Sequence, residues 1–301
     1  MNPKPLQNKI AIVYDFDGTL SPDNMQERTI FEDYGLDKDD FWRRSQALTR
    51  DHGYERTLAY LKMLISDPAF AKRPIDPVRL AALAKDKVRY FKGVEAYFDR
   101  LETFLKGIDE AKECSVTIEH YVVSSGLMEI VRGCSIFPKF KKAYACEFAY
   151  ENGRPIFPKL VINDTNKTQF LFRINKGKLG LDEDINSHMP DDERPIPFRN
   201  MIYLGDGVTD IPSMTLTQKS GGQAIAVFDE GIGVSDEVKE MVYARRADHF
   251  APADYSFGDG AGVKDSLLIK ILKTAVKKVV YDIHYRASAR RSMDWVKKNK
   301  K

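Results

Sequence analysis

The sequence lacks most features that mark secreted, membrane-spanning or zinc-binding proteins. Its three cysteines, Cys114, Cys134 and Cys146, are odd in number and widely spaced, and no Cys/His grouping has metal-ligand spacing. No apolar run approaches the ~18 residues of a membrane span, and no apolar segment of signal-peptide length precedes Ile10. We therefore expect reduced thiols and a cytoplasmic protein without membrane contact.

The chain also has little excess of either charge, with a net charge of +3. Residues 286–301 carry +6 of it, from seven basic residues and one acid, which leaves −3 for the body of the chain. A mildly acidic body argues against nucleic-acid binding. We predict that this basic C-terminal tail is a frayed, solubilising end rather than a contact with nucleic acid or anionic lipid.

What the sequence does have is a series of short apolar runs, separated by stretches with helical periodicity. The runs at 10–14, 116–123, 201–207 and 223–228 are typical of strands buried on both faces. Residues 144–162 predict a hairpin or two short strands around Asn152-Gly153. Helices are predicted within 24–91 and over 93–105, 127–133, 165–175 and 265–281, with a long loop at 178–198. This alternation predicts an α/β protein with a doubly wound, mostly parallel sheet.

Three of the predicted strands end in polar motifs that contain glycine: DFDGT, VSSG and LGDGVTD. Parallel sheets bind ligands at the carboxyl ends of their strands. Four carboxylates should meet there, those of Asp15, Asp17, Asp206 and Asp210. They would repel one another unless a cation or a reaction requires them, and oxygen ligands suit Mg²⁺, with Mn²⁺ as an alternative. The sequence therefore predicts a divalent-metal site with room for a phosphate.

The same edge supplies the parts of phosphoryl transfer through an aspartate. One carboxylate can act as the nucleophile, while Asp17 can protonate the leaving oxygen and then activate water. Ser124 offers a hydroxyl, and Ser125 offers the same group one residue further on. Lys167 can supply positive charge at the start of its predicted helix, with Lys159 as the alternative. The amides of Phe16 and Ser125 can add N–H donors.

Four segments of the chain resemble, in order, the four signatures of the haloacid dehalogenase (HAD) superfamily of phosphohydrolases. These segments are IAIVYDFDGTL, YVVSSG, the lysine of NDTNKTQ, and IYLGDGVTD. The resemblance covers core segments from Ile10 to about Pro212. It implies that Asp15 is the nucleophile and a Mg²⁺ ligand. It implies that Asp17 is the general acid/base and binds the metal through its main-chain carbonyl.

The later signatures imply the remaining roles. Ser124 and Lys167 would bind the phosphoryl group, and Asp206 would be the third protein ligand. Asp210 would orient a metal-bound water or Lys167, although it can also serve as the N-cap of the helix that follows it.

The helical stretch between the first two signatures stands where many HAD members carry a helical cap. The resemblance thus implies a core of residues 1–21 and 92–301, a cap of residues 22–91 and the basic tail at 286–301. With this cap placement the chain is most similar to the phosphoserine-phosphatase-like branch. That branch holds the substrate ammonium with a glutamate nine residues after the nucleophile, where this chain has Asn24. We therefore expect a substrate other than phosphoserine, with specificity residues among Asn24, Met25, Gln26, Glu27 and Arg56.

The expected function is a Mg²⁺-dependent phosphatase that hydrolyses a small phosphomonoester through an aspartyl phosphate on Asp15. The presence of Asp17 favours an ester substrate, because an alkoxide leaving group needs a proton and a halide does not. Two alternatives stay open at this point. The same intermediate can serve a phosphotransferase, and the same fold can serve a non-catalytic phospho-ligand-binding protein.

Overall fold

A seven-stranded sheet forms the centre of the molecule in a computed structural model that describes residues 5–234 and 236–299. The strands are β1 (Lys9–Tyr14), β2 (Thr117–Leu127), β3 (Lys142–Glu151), β4 (Arg154–Leu160), β5 (Met201–Gly205), β6 (Gln223–Phe228) and β7 (His249–Pro252). Their order is β4-β3-β2-β1-β5-β6-β7. Every neighbouring pair is parallel except the β3–β4 hairpin, so the predicted fold class is confirmed.

Helices connect the strands and cover the sheet. The α-helices of the described residues are α1 (Glu32–Tyr34), α2 (Lys38–His52), α3 (Arg56–Ser66), α4 (Pro77–Lys87), α5 (Val94–Lys106), α6 (Asp109–Glu113), α7 (Met128–Gly133), α8 (Lys167–Lys176), α9 (Ile211–Lys219), α10 (Asp236–Tyr243) and α11 (Leu267–Lys298). A π-helical turn at Glu27–Phe31 precedes α1. Residues 10–14 of β1 are fully buried, which is the pattern of a strand covered on both faces.

The segment between β1 and β2 is helical, as its periodicity predicts. Local signals fix where these helices begin, since the side chains of Asp37, Glu55 and Asp76 each accept a hydrogen bond from a main-chain amide in the first turn of α2, α3 and α4. The division into a core and a cap stays a prediction.

The prediction of a frayed tail is wrong for the part of the tail that the structure describes. The helix predicted over 265–281 continues as α11 to Lys298, because no glycine or proline interrupts it. Arg286 donates to Asn200 Oδ1 at 3.1 Å and Arg291 lies 2.9 Å from Glu113, so the tail begins anchored to the body. Residues 300 and 301 lie outside the described range. None of the helices in that range is long and apolar enough to cross a membrane.

Candidate active site

The candidate site lies where the strand order reverses, since β1 has β2 on one side and β5 on the other. Asp15 follows β1, and Asp206 follows β5. Ser124 lies inside β2, which is longer than predicted, but the pairing of β2 with β3 shifts register between Val123 and Leu127. A cavity of about 600 Å³ opens at this edge. Its lining includes Asp15, Asp17, Gly18, Asn24, Gln26, Glu27, Trp42, Tyr60, Ser124, Ser125 and Asp206.

Lys167 is a buried cation in contact with Asp15, which lines this cavity. Its side chain is fully buried, and its Nζ lies 2.8 Å from both Asp15 Oδ2 and Asp210 Oδ1. Reciprocal side-chain to main-chain bonds between Asn163 and Asn166, at 2.7 and 3.0 Å, fix the turn that places it at the start of α8. Burial alone lowers the pKa of Lys167, but Asp15 and Asp210 together raise it above its ordinary value, so the side chain stays charged. The alternative, Lys159, is half-exposed on β4 beside Glu147.

The aspartates of the site together carry more negative charge than the single positive charge of Lys167 can neutralise. Burial raises the pKa of Asp15 to about 6, although Lys167 opposes the shift. Burial, Asp210 and Asp15 raise the pKa of Asp206. The Oδ1 of Asp15 accepts a 2.7 Å bond from the Phe16 amide, so this amide is already used within the protein.

Asp17 has different partners from Asp15. Its Oδ1 accepts a 3.0 Å hydrogen bond from the Met25 amide. Burial, followed by the charge of Asp15, holds the pKa of Asp17 well above its usual range. The environment of Asp17 therefore favours the protonated carboxyl, whereas Asp15 is in contact with a cation.

The glycines of both acidic motifs make room for carboxylates. Gly18 has φ +71°, and a Cβ there would lie 2.0 Å from Asp206 Oδ2. A Cβ at Gly205 would lie 2.5 Å from Asp210 Cγ. The acidic side chains consequently pack directly against the main chain of the two motifs.

The donor set fits a hard divalent cation. Oxygen atoms of Asp15, Asp206 and Asp210 all lie within 4.8 Å of one another, and Asp210 Oδ2 is buried without a hydrogen-bond partner. Oxygen-only, acid-rich sites suit Mg²⁺. The structure therefore places Asp210 beside the two predicted side-chain ligands. The predicted N-cap bond of Asp210 is absent from the described contacts of α9, because its carboxylate binds Lys167 and Tyr203 instead.

The two predicted phosphate-binding serines differ in their contacts. Ser124 Oγ accepts a 3.0 Å bond from the Gly126 amide, whereas Ser125 Oγ is buried and has no partner. Both residues line the cavity.

The predicted specificity residues separate into three groups. Asn24, Gln26 and Glu27 line the site cavity. Arg56 lines an adjoining cavity of about 580 Å³, which shares Asn24, Trp42, Tyr60, Ser125 and Thr209 with the first. Met25 is buried in the core, where its Sδ accepts from the Leu127 amide at 3.3 Å, so its side chain is packed away from the cavity.

Three aromatic residues at the site were not predicted. Tyr203 donates to Asp210 Oδ1 at 2.6 Å, and Tyr60 donates to the Ser125 carbonyl at 2.5 Å. Trp42 Nε1 donates to Glu27 Oε1 at 2.9 Å. A signal existed for Tyr60, because it follows Arg56 by four residues and therefore shares a helix face with a predicted residue. Nothing in the sequence near Tyr203 or Trp42 indicates their partners.

Comparison of the fold places it among known hydrolase structures. A substrate-bound phosphoserine phosphatase is 17% identical with a TM-score of 0.53, over 88% of this chain and 98% of that one. A probable phosphoserine phosphatase from Vibrio cholerae is 11% identical with a TM-score of 0.56, over 93% and 68%. A HAD family hydrolase from Salmonella enterica serovar Typhi is 16% identical with a TM-score of 0.52, over 83% and 68%. The chain thus has the HAD fold, as its four motifs predict.

Sequence comparison identifies a nearer relative. No protein-family model matches the chain. A Borreliella burgdorferi protein described as "Uncharacterized protein" is 31% identical over 278 residues, which covers 84% of this chain and 93% of that protein. The chain belongs to the same family as this protein.

Proposed function

We propose that the protein is a Mg²⁺-dependent phosphomonoesterase that forms an aspartyl phosphate on Asp15. The observation that carries this proposal is the buried Lys167, which contacts both Asp15 and Asp210, while Asp15 and a second aspartate with a raised pKa, Asp17, line one cavity. Phosphoryl transfer needs a nucleophile, positive charge at the transferred group and a proton for the leaving oxygen.

Asp15 is the proposed nucleophile. Its carboxylate forms a bond to phosphorus as the bond from phosphorus to the ester oxygen breaks. Its Oδ1 is held by the Phe16 amide at 2.7 Å and its Oδ2 lies beside Lys167, so the side chain is oriented before substrate arrives. Lys167 and the hydroxyl of Ser124 or Ser125 are the proposed partners of the phosphoryl oxygens.

Asp17 is the proposed general acid and base. Its raised pKa keeps a proton available for the departing alkoxide, and the resulting carboxylate then accepts a proton from the water that attacks phosphorus. This second step releases phosphate and returns the carboxylate of Asp15. The Met25 amide fixes the orientation of Asp17 in both steps.

A magnesium ion is the proposed cofactor. The side chains of Asp15 and Asp206 would hold it, together with the main-chain carbonyl of Asp17. Asp210 would orient Lys167 or a water bound to the ion. When bound, the ion offsets the excess negative charge of the acids and polarises the phosphate.

The direct test is release of p-nitrophenol from p-nitrophenyl phosphate, with Mg²⁺ or with EDTA, by the wild type and by Asp15→Asn. We expect metal-dependent release that is lost in the variant, which should remain folded by circular dichroism. Full activity in Asp15→Asn would overturn the nucleophile assignment. Addition of an alcohol as acceptor, with analysis of the phosphorylated products, would reveal a phosphotransferase instead.

A further inference from the structure

We propose that the substrate is the monophosphate of a sugar or another polyol, and that Gln26 recognises a hydroxyl of its leaving group. The inference rests on the proposed phosphatase activity and adds a substrate class to it. It starts from two buried polar atoms that face the site cavity and have no partner in the protein.

The first of these atoms is Gln26 Oε1. The residue is only 4% exposed and lines the site cavity, yet Oε1 has no hydrogen-bond partner. An amide oxygen accepts hydrogen bonds and donates none, so this atom is left to accept one from a ligand. Tyr60, which lines the same cavity, donates its hydroxyl proton to the Ser125 carbonyl at 2.5 Å.

The second atom is Ser125 Oγ, which is buried without a partner and faces both cavities. Among the buried, unpartnered side-chain atoms of the described residues, those at the site cavity belong to Gln26 and Ser125. Unpaired buried polar atoms are costly, and proteins rarely retain them without a reason. Ser125 is one of the two serines proposed to bind the phosphoryl oxygens, so Gln26 Oε1 is the atom left for a hydroxyl of the leaving group close to the phosphate.

The two acids next to Gln26 along the chain, Asp23 and Glu27, already have partners within the protein. Glu27 is the acid nearest in sequence to Gln26, but its Oε1 already accepts from Asn24 at 2.8 Å and from Trp42 at 2.9 Å. Its Oε2 lies 3.7 Å from Lys38. Asp23 pairs with Arg28 at 2.8 Å. Among Asp23, Gln26 and Glu27, the acceptor left without a partner is therefore the amide oxygen of Gln26, and a hydroxyl of the leaving group can donate to it.

The adjoining cavity has the lining that a hydroxyl-rich ring needs. Its buried residues include Ser45 and Thr57, beside the rings of Trp42 and Tyr60. Its charged residues are Arg50, Arg56 and Asp164, and both arginines are exposed. Amphipathic rings and neutral hydrogen-bonding groups can contact the ring faces and hydroxyls of a sugar.

The test compares substrates that differ only near the ester. Glycerol 1-phosphate, propyl phosphate and phosphoethanolamine are assayed for phosphate release with Mg²⁺. We expect the kcat/KM for glycerol 1-phosphate to exceed that for propyl phosphate at least tenfold, because propyl phosphate leaves Gln26 Oε1 unpaired. It should also exceed that for phosphoethanolamine, because one neutral acceptor leaves the ammonium charge and two of its three donors unpaired. In Gln26→Met the ratio of glycerol to propyl phosphate should fall towards one. Gln218 is half-buried and donates to Asp248 away from the site cavity, so Gln218→Met is the matched control and should keep the wild-type ratio.

The outcomes separate this inference from the proposed function. Suppose that p-nitrophenyl phosphate is hydrolysed but that glycerol 1-phosphate and propyl phosphate react at equal rates, or that phosphoethanolamine is preferred. Either result would overturn the substrate class and leave the proposed phosphatase activity in place. No release from any ester would overturn the phosphatase. In that case, calorimetry of ligand binding to Asp15→Asn tests the recognition by Gln26 separately from catalysis. Binding of glycerol 1-phosphate at least tenfold tighter than binding of propyl phosphate would support this recognition, and equal binding would refute it.

Discussion

Replacement of Lys167 by methionine tests how the acidic cluster is held together. Methionine is unbranched and similar in length, so the change removes the charge with little change in volume. The Lys167 side chain is fully buried and lies 2.8 Å from oxygens of Asp15 and Asp210. The variant consequently leaves buried carboxylates without their cation.

The size of the effect follows from these distances. At an effective dielectric constant of about 20, each 2.8 Å contact is worth about 6 kcal/mol before the cost of burying the charges. That cost is several kcal/mol for each ion, so the net contribution is much smaller. Loss of one member of a buried ion pair destabilises proteins by about 3–5 kcal/mol. We expect a decrease of this size in the free energy of unfolding of Lys167→Met.

The assay is urea unfolding followed by circular dichroism in EDTA at pH 7.5, with linear extrapolation to water. Lys159→Met is the matched control, because Lys159 is 52% exposed and lies 3.2 Å from Glu147. It should cost less than about 1 kcal/mol. Adding Asp210→Asn to Lys167→Met should restore part of the loss, since it removes one unpaired charge. A loss below about 1 kcal/mol in Lys167→Met would refute the role of Lys167 as the main counter-charge.

Two further predictions concern a glycine and a histidine. Gly18→Ala forces Asp206 out of position and should weaken Mg²⁺ binding about 10–100-fold by calorimetry. Gly153→Ala, with a similar φ of +74° and open space around its Cβ, should leave Mg²⁺ affinity unchanged, and equal affinities in all three proteins would contradict the argument. Burial, with Lys139 nearby, lowers the pKa of His120 to about 3, so between that pH and about 6.5 the unfolded chain binds one more proton than the folded one. Stability should therefore fall as pH drops below about 6.5, by about 2 kcal/mol at pH 5 in urea unfolding. His120→Gln should flatten this slope, and an unchanged slope would show that other groups cause it.

Sequence patterns were sufficient to predict the strands of the central sheet from β1 to β6. The strands on either side of the site have long β-branched or aromatic runs, and burial on both faces makes these runs continuous. By contrast, β7 and α10 were not predicted. The strand HFAP has four residues with a terminal proline and an exposed histidine, so its place in the sheet depends on pairing with β6 rather than on its own pattern.

The site divides in the same way. Residues in motifs with fixed spacing, such as Asp15 and Asp206, were predicted to meet because parallel strands align their carboxyl ends. Residues whose role depends on a distant partner were not predicted. An example is Tyr203, whose hydrogen bond to Asp210 depends on how the chain turns after β5. Met25 was named beside Gln26 because sequence proximity does not reveal which side chain packs inward, and here Met25 packs against Gly126.

The two aspartates of DFDGTL have the same chemistry and only Phe16 lies between them, yet they have different surroundings. Asp15 contacts Lys167, which favours a carboxylate that can attack phosphorus. Asp17 contacts a neutral amide and lies in the field of Asp15 and Asp206, which favours a carboxyl that holds its proton. Pairs of acids whose environments push them towards opposite protonation states are suited to divide nucleophilic and acid roles. Gly18 completes this arrangement, because the space of its missing side chain admits Asp206, whose negative charge in turn favours the protonated form of Asp17.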